Sequence, residues 1–179
     1  MLVVIVLGAM FGVAASMSNY VLQSPITFIL NSGWAWAAVP VWAGALQGTR
    51  PGAVCAGPLA GAAAVFGYYL SDSALGGTPF EEYWFDVSAW LIGYAVVGSV
   101  FALIGFTARS GRLAGLLARL FVPTGAVVEM IFLPRWPVVD AGPDLHMAQV
   151  IVWIAAAVVI VGSGVRYLRS LGAQSSGDS

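Results

Sequence analysis

The chain has 179 residues, of which 60% are apolar and 8% charged, against about 25% charged in soluble proteins, so a water-soluble fold is excluded. Seven arginines, no lysine and eight acids give a net charge of −1. That balance cannot neutralise a row of phosphates, which excludes nucleic-acid binding. One cysteine, Cys55, and one histidine, His146, cannot assemble a disulfide, a redox pair or a zinc set, and no cofactor or metal is expected.

A helix needs about 20 consecutive apolar residues to cross the hydrocarbon of a bilayer. Six runs qualify: Leu2 to Ser18, Pro25 to Leu46, Ala53 to Ser71, Val87 to Ala108, Leu113 to Leu133 and Met147 to Val165. They are continuously apolar rather than alternating, which predicts helices and not barrel strands. The expected fold is therefore all-α, a polytopic integral membrane bundle of about six transmembrane helices in a lipid bilayer, placed in the cell membrane as a multi-pass protein. The first run has a signal-peptide alternative in its Val13-Ala14-Ala15 stretch, but it lacks the basic start such a peptide needs. Residues 1–171 read as a single bundle, and residues 172–179, small and polar, read as a disordered tail. No internal repeat is visible.

Orientation follows from the charges. Arg50 lies between the second and third runs, Arg109 and Arg112 between the fourth and fifth, and Arg166 and Arg169 after the sixth. These are alternate connections, so the positive-inside rule makes that side cytoplasmic and puts both termini there. Asp72, Glu81, Glu82, Asp86, Asp140 and Asp144 fall on the other side, accompanied only by Arg135.

The polar residues inside the runs carry the functional signal. Glu129 stands about one turn from the outer end of the fifth run among apolar neighbours. A carboxyl at that depth is costly unless paired, neutral or facing water, which makes it a functional candidate, with a structural bond to Arg135 as the alternative. Asn31, Ser32 and Gly33 interrupt the second run after a Ser24-Pro25 start that looks like a helix cap. They mark either a broken helix or the true beginning of the span, and they place Asn31 near the outer mouth with Asn19 and Gln23. Pro40 and Pro123 free the carbonyls of Trp36 and Arg119. Tyr68 and Asp72 share a helical face, as do Asp86, Trp90 and Tyr94, each set spaced by four. Trp34, Tyr68, Trp90 and Tyr94 are candidate pocket-lining residues, whereas Tyr83, Trp84 and Trp136 read as an interfacial belt. His146 reads as a cap-region side chain. Gly8, Gly12 and Ser16 form a small-residue face for close packing against a neighbour, in this chain or in a membrane partner.

The stretch Leu30-Asn31-Ser32-Gly33-Trp34-Ala35-Trp36, the Gly67-Tyr68-Tyr69 ending of the third run, the aromatic start of the fourth and the late glutamate of the fifth resemble a family of small actinobacterial multi-spanning proteins. Some of its members are integral-membrane terpene cyclases of meroterpenoid and indole-terpenoid pathways. The chain has no aspartate-rich diphosphate-binding motif, which fits cyclases started by protonation. The resemblance implies a hydrophobic isoprenoid substrate, such as an epoxidised farnesyl compound. It implies catalytic carboxyls, carried here by Glu129, Asp72 and Asp86, and substrate contacts at Trp34, Asn31, Tyr68, Trp90 and Tyr94. Two rival readings stand beside it: the substrate-binding subunit of an energy-coupling-factor type transporter, and a non-catalytic membrane assembly protein.

Overall fold

The computed structural model describes residues 1–22, 24–133 and 142–175, and every regular element among them is helical. Helix α1 (Leu2–Met17) continues into a π-helical turn, Ser18–Leu22. It is followed by α2 (Pro25–Leu30), α3 (Gly33–Ala45) and α4 (Arg50–Gly76). A 3-10 turn, Phe80–Tyr83, leads into α5 (Trp84–Gly93), a second π-helical turn, Tyr94–Gly98, and α6 (Ser99–Thr107). Helices α7 (Leu113–Phe132) and α8 (Pro143–Ser175) complete the order. Gln23, Arg135, Trp136, Asp140 and residues 176–179 of the expected tail lie outside the described residues.

Among the described residues, five helical stretches are long and apolar enough to cross a membrane: Leu2–Val21, Arg50–Gly76, Phe80–Thr107, Leu113–Phe132 and Pro143–Leu171. The second of the six expected runs is divided between α2, of 6 residues, and α3, of 13. At roughly 1.5 Å per residue neither reaches across about 30 Å of hydrocarbon alone. The break has a local cause. Ser32 turns to extended backbone and its hydroxyl donates to the Ile29 carbonyl at 2.7 Å, competing with the helical ladder. Helix α2 does begin as its sequence suggests, with Ser24 and Thr27 forming a capping box ahead of Pro25. Helix α4 outruns its expected bounds at both ends. Thr49 caps it, accepting from the Gly52 amide at 3.2 Å, and Gly77 ends it in the left-handed region with φ of 75°. The aromatic run from Phe80 to Asp86 is consequently helical rather than a loop.

The chain divides into two compact units, Met1–Phe106 and Thr107–Ser179. In the first, helices meet backbone to backbone. A Cβ at Gly8 or Gly12 of α1 would strike the carbonyl of Ala60 or Ala64 on α4, and one at Gly67 would strike Ala9. The neighbour of the Gly8, Gly12 and Ser16 face is thus α4 of the same chain. Gly44 and Gly105 serve the α3–α6 contact in the same way, against Ala102 and Val41. Lipid is as apolar as the side chains, so such close van der Waals contact, rather than hydrophobic burial, is what holds membrane helices together.

Two prolines inside helices create the sharpest demand on this packing. Pro40 has no N–H for the carbonyl of Trp36, and Pro58 has none for that of Val54. Tyr94 donates its hydroxyl to the Trp36 carbonyl at 3.1 Å, and Ser99 donates to the Val54 carbonyl at 3.0 Å. The donors flank the π-helical turn Tyr94–Gly98, and the Tyr94 ring fills the space above Gly61. Each proline break is thereby closed by a hydroxyl from one continuous stretch of chain.

The glycine contacts predict an asymmetric response to bulk. Gly12→Leu should lower the thermal unfolding midpoint in detergent by about 5 °C or more, since overpacking against backbone cannot relax. Gly125→Leu, which meets nothing within 4 Å, should cost less than about 2 °C.

Candidate functional site

The polar residues of the first unit converge at the end of α4. Asp72 lies on the penultimate turn of that helix, and both of its carboxylate oxygens are engaged. Tyr20 donates to Oδ1 at 2.8 Å and Tyr83 to Oδ2 at 2.6 Å. Tyr20 comes from the π-helical turn after α1, and Tyr83 from the 3-10 turn before α5. One carboxyl therefore joins three elements through short O–H···O bonds, among the stronger kinds that proteins make.

A chain of amides runs beside it. Four acceptors surround Asn31 Nδ2: the carbonyls of Ala15 and Thr27, Ser18 Oγ and Asn19 Oδ1, at 3.1–3.2 Å. Four acceptors around one atom identify it as the nitrogen. Asn19 then donates from Nδ2 to the Tyr68 hydroxyl at 3.1 Å. Asn19 and Asn31 thereby orient Tyr68 as an acceptor. The Ala15 and Ser18 carbonyls lie where α1 loosens into its π-helical turn, and Thr27 Oγ1 donates to the second of them at 2.9 Å. Such turns widen a helix and recur at functional sites.

Aromatic rings line the same region. Trp36 meets Phe11 and Tyr68 edge-on, at centroid distances of 5.4 and 5.6 Å, and stacks on Trp90 at 6.2 Å. Tyr68 meets Tyr69, Tyr69 meets Tyr83, and Trp90 meets Tyr94. The negative ring faces make this wall suited to a cation or an apolar, unsaturated ligand.

Of the expected site residues, Asp72, Tyr68, Asn31, Trp90 and Tyr94 all belong to this connected set. Tyr94 serves it as a support, because it is buried and its hydroxyl is committed to the Trp36 carbonyl. Asp86 is exposed on α5, within electrostatic reach of Tyr69, which also feels Asp72. Trp34 is half-buried on α3. Trp36, two residues on and roughly 200° around the helix, is the tryptophan that joins Phe11, Tyr68 and Trp90. Tyr20, Tyr83 and Trp36 were not singled out from sequence as site residues. A tyrosine next to a membrane boundary looks like interfacial belt, and only the fold reveals that two of them share one carboxyl.

Glu129 belongs to the second unit, half-buried on α7 between buried Ala126 and Met130. In that unit Gln149 of α8 donates to the Met130 carbonyl at 2.7 Å, satisfying an acceptor in the last turn of α7. That contact orients the amide, so its oxygen faces His146 Nδ1 at 3.1 Å and His146 must carry a proton there. His146 lies in the first turn of α8 and is engaged by Gln149. Among the described residues no three His, Cys, Asp or Glu side chains gather as a metal site. No family model, curated protein or solved structure matches this chain.

The orientation of Asn31 makes a prediction with a definite sign. Asn31→Ala should destabilise the protein by about 1 kcal/mol. Asn31→Asp should cost more than Asn31→Ala, since it points carboxylate oxygens at four acceptors. Chemical or thermal unfolding in detergent measures both.

Proposed function

We propose that this chain is a multi-pass protein of the cell membrane that acts as a metal-independent cyclase on a lipid-soluble, isoprenoid-type substrate. In this reading it crosses the bilayer six times. Stacked end to end, α2 and α3 supply about 29 Å, and the arginines at alternate connections keep both termini cytoplasmic. The observation that carries the reading is Asp72, held by two phenol hydroxyls beside a wall of aromatic rings.

The chemistry begins with Asp72 in its acid form. It transfers a proton to an epoxide oxygen or a terminal alkene of the substrate. For an epoxide, the protonated C–O bond breaks and a neighbouring alkene forms the new C–C bond. The hydroxyls of Tyr20 and Tyr83 hydrogen-bond the carboxylate left behind and hold it in place. The faces of Trp36, Tyr68 and Trp90 stabilise the migrating positive charge, each by about 0.5–2 kcal/mol according to desolvation. The carboxylate then removes a proton from the last cation to give an alkene. The proton lent at the start returns at the end, so product and substrate are isomers and no co-reactant is consumed. Asp86, near Tyr69, is the second carboxyl of the same face, and Glu129 in the second unit is a separate candidate acid.

The purified protein in detergent, given a panel of epoxidised farnesyl and geranylgeranyl acceptors, should yield products of unchanged mass and shifted retention. Asp72→Asn should lower turnover by about 10²–10⁴, and Tyr83→Phe by about tenfold. A panel returned unchanged by the folded protein, or full activity in Asp72→Asn, contradicts the reading. Glu129→Gln tests that residue independently.

The chain of oriented amides ending at Tyr68 favours a second reading, a substrate-binding subunit of an energy-coupling-factor type transporter. Copurification with an ATPase-coupled membrane partner would support it over the cyclase.

A further inference from the structure

Asn31 stands at a point on which oxygens converge from three elements of the first unit. Its Nδ2 lies 3.2 Å from the Ala15 carbonyl, 3.1 Å from Ser18 Oγ, 3.2 Å from Asn19 Oδ1 and 3.1 Å from the Thr27 carbonyl. Ala15 belongs to the last turn of α1, Ser18 and Asn19 to the π-helical turn that follows it, and Thr27 to α2. Other bonds fix how these oxygens face. The nitrogen of Asn19 is committed to Tyr68, which holds its oxygen toward the point. Ser18 sends its own hydrogen to the Ala15 carbonyl at 2.7 Å, which leaves its lone pairs to face Asn31. The Thr27 carbonyl also receives the backbone amide of Asn31 at 3.0 Å.

Two features mark this point as a place for a positive charge. A side-chain amide nitrogen carries two hydrogens, so Asn31 serves two of the four acceptors around it, whereas a cation attracts all of them at once. The Ala15 carbonyl also stands at the negative end of a 16-residue helix, where a cation is favoured. Unwound carbonyls and helix C-terminal ends of this kind are what coordinate monovalent ions within membrane proteins. The Asn31 side chain can join them. A half-turn of its amide about Cβ–Cγ, a broad two-fold torsion, exchanges nitrogen for oxygen and makes five converging oxygens. None of the five carries a formal charge, which suits a monovalent ion, since calcium sites recruit carboxylates. Ala15 and Ser18 are fully buried and Asn31 is exposed, so the cage is fixed in protein and still has a way in.

We propose that the carbonyls of Ala15 and Thr27, Ser18 Oγ and the side-chain oxygens of Asn19 and Asn31 form a binding site for a monovalent alkali cation, Na⁺ or K⁺. The ion ties the end of α1 to α2 and to the start of α3, and it braces Asn19 and through it the Tyr68 hydroxyl. It touches no reacting atom, and the site is independent of the cyclase reading.

The test uses the full chain purified in neutral detergent, with sodium, potassium, calcium or choline chloride at equal ionic strength. Sodium or potassium chloride should raise the thermal unfolding midpoint above that in choline chloride by about 2 °C or more. Ser18→Ala removes one ligand and should lose at least half of that shift with unchanged helicity, which separates the site from a general salt effect. Asn31→Asp places an anionic oxygen in the cage. Its cost in stability should be largest in choline chloride, and its response to the alkali ion should be at least twice that of the native chain. If Asn31→Asp does not fold, Ser18→Ala decides. Equal midpoints in alkali and choline chloride for the native chain, a full shift in Ser18→Ala, or a larger shift from calcium chloride would overturn the proposal, the last by making this a divalent site.

Discussion

A backbone carbonyl inside a bilayer has no water to turn to, and the first unit is organised around that deficit. Pro40 and Pro58 each strip a donor from a helix, and Ser32 interrupts a third ladder. Leaving such a group unpaired costs several kcal/mol in hydrocarbon. Tyr94 and Ser99 close the two proline breaks from the ends of a single π-helical turn. That turn, in consequence, fixes the register of α3 and α4 against α5 and α6.

The candidate site is built on the same logic. The break between α2 and α3 leaves Asn31 beside the Ala15 carbonyl at the end of α1, to which it donates, while Thr27 fills the carbonyl of Ser18. Asn19 then has its oxygen occupied and its nitrogen aimed at Tyr68. Trp36, whose carbonyl is held by Tyr94, is the ring on which Phe11, Tyr68 and Trp90 converge. Irregular backbone in a membrane is tolerated where protein satisfies it, and here the satisfying groups double as the walls of the site.

Much of this was legible in the sequence because membranes punish exceptions. Five of the six apolar runs fall on helices long enough to span, and α7 begins and ends within a residue of its expected bounds. Asn31, Asp72 and Tyr68 stood out because polar groups are scarce. The freed Trp36 carbonyl followed from Pro40 alone. Its partner did not, because Tyr94 is 58 residues away and only packing brings it there. Tyr20, Tyr83 and Gln149 were hidden for the same reason. The length of α4 and the helical start at Phe80 were missed because hydropathy falls off at membrane boundaries before the backbone stops being helical.

The central claim, that hydroxyl donors replace the N–H groups missing at prolines, is tested most directly by a double-mutant cycle of Tyr94→Phe and Pro40→Ala, read by reversible unfolding in detergent. Pro40→Ala restores an amide donor to the Trp36 carbonyl. Tyr94→Phe should therefore cost about 1 kcal/mol in the native sequence and clearly less beside Pro40→Ala, giving a coupling of about 0.6–1.7 kcal/mol. Strict additivity, with Tyr94→Phe costing the same in both backgrounds, would contradict the account.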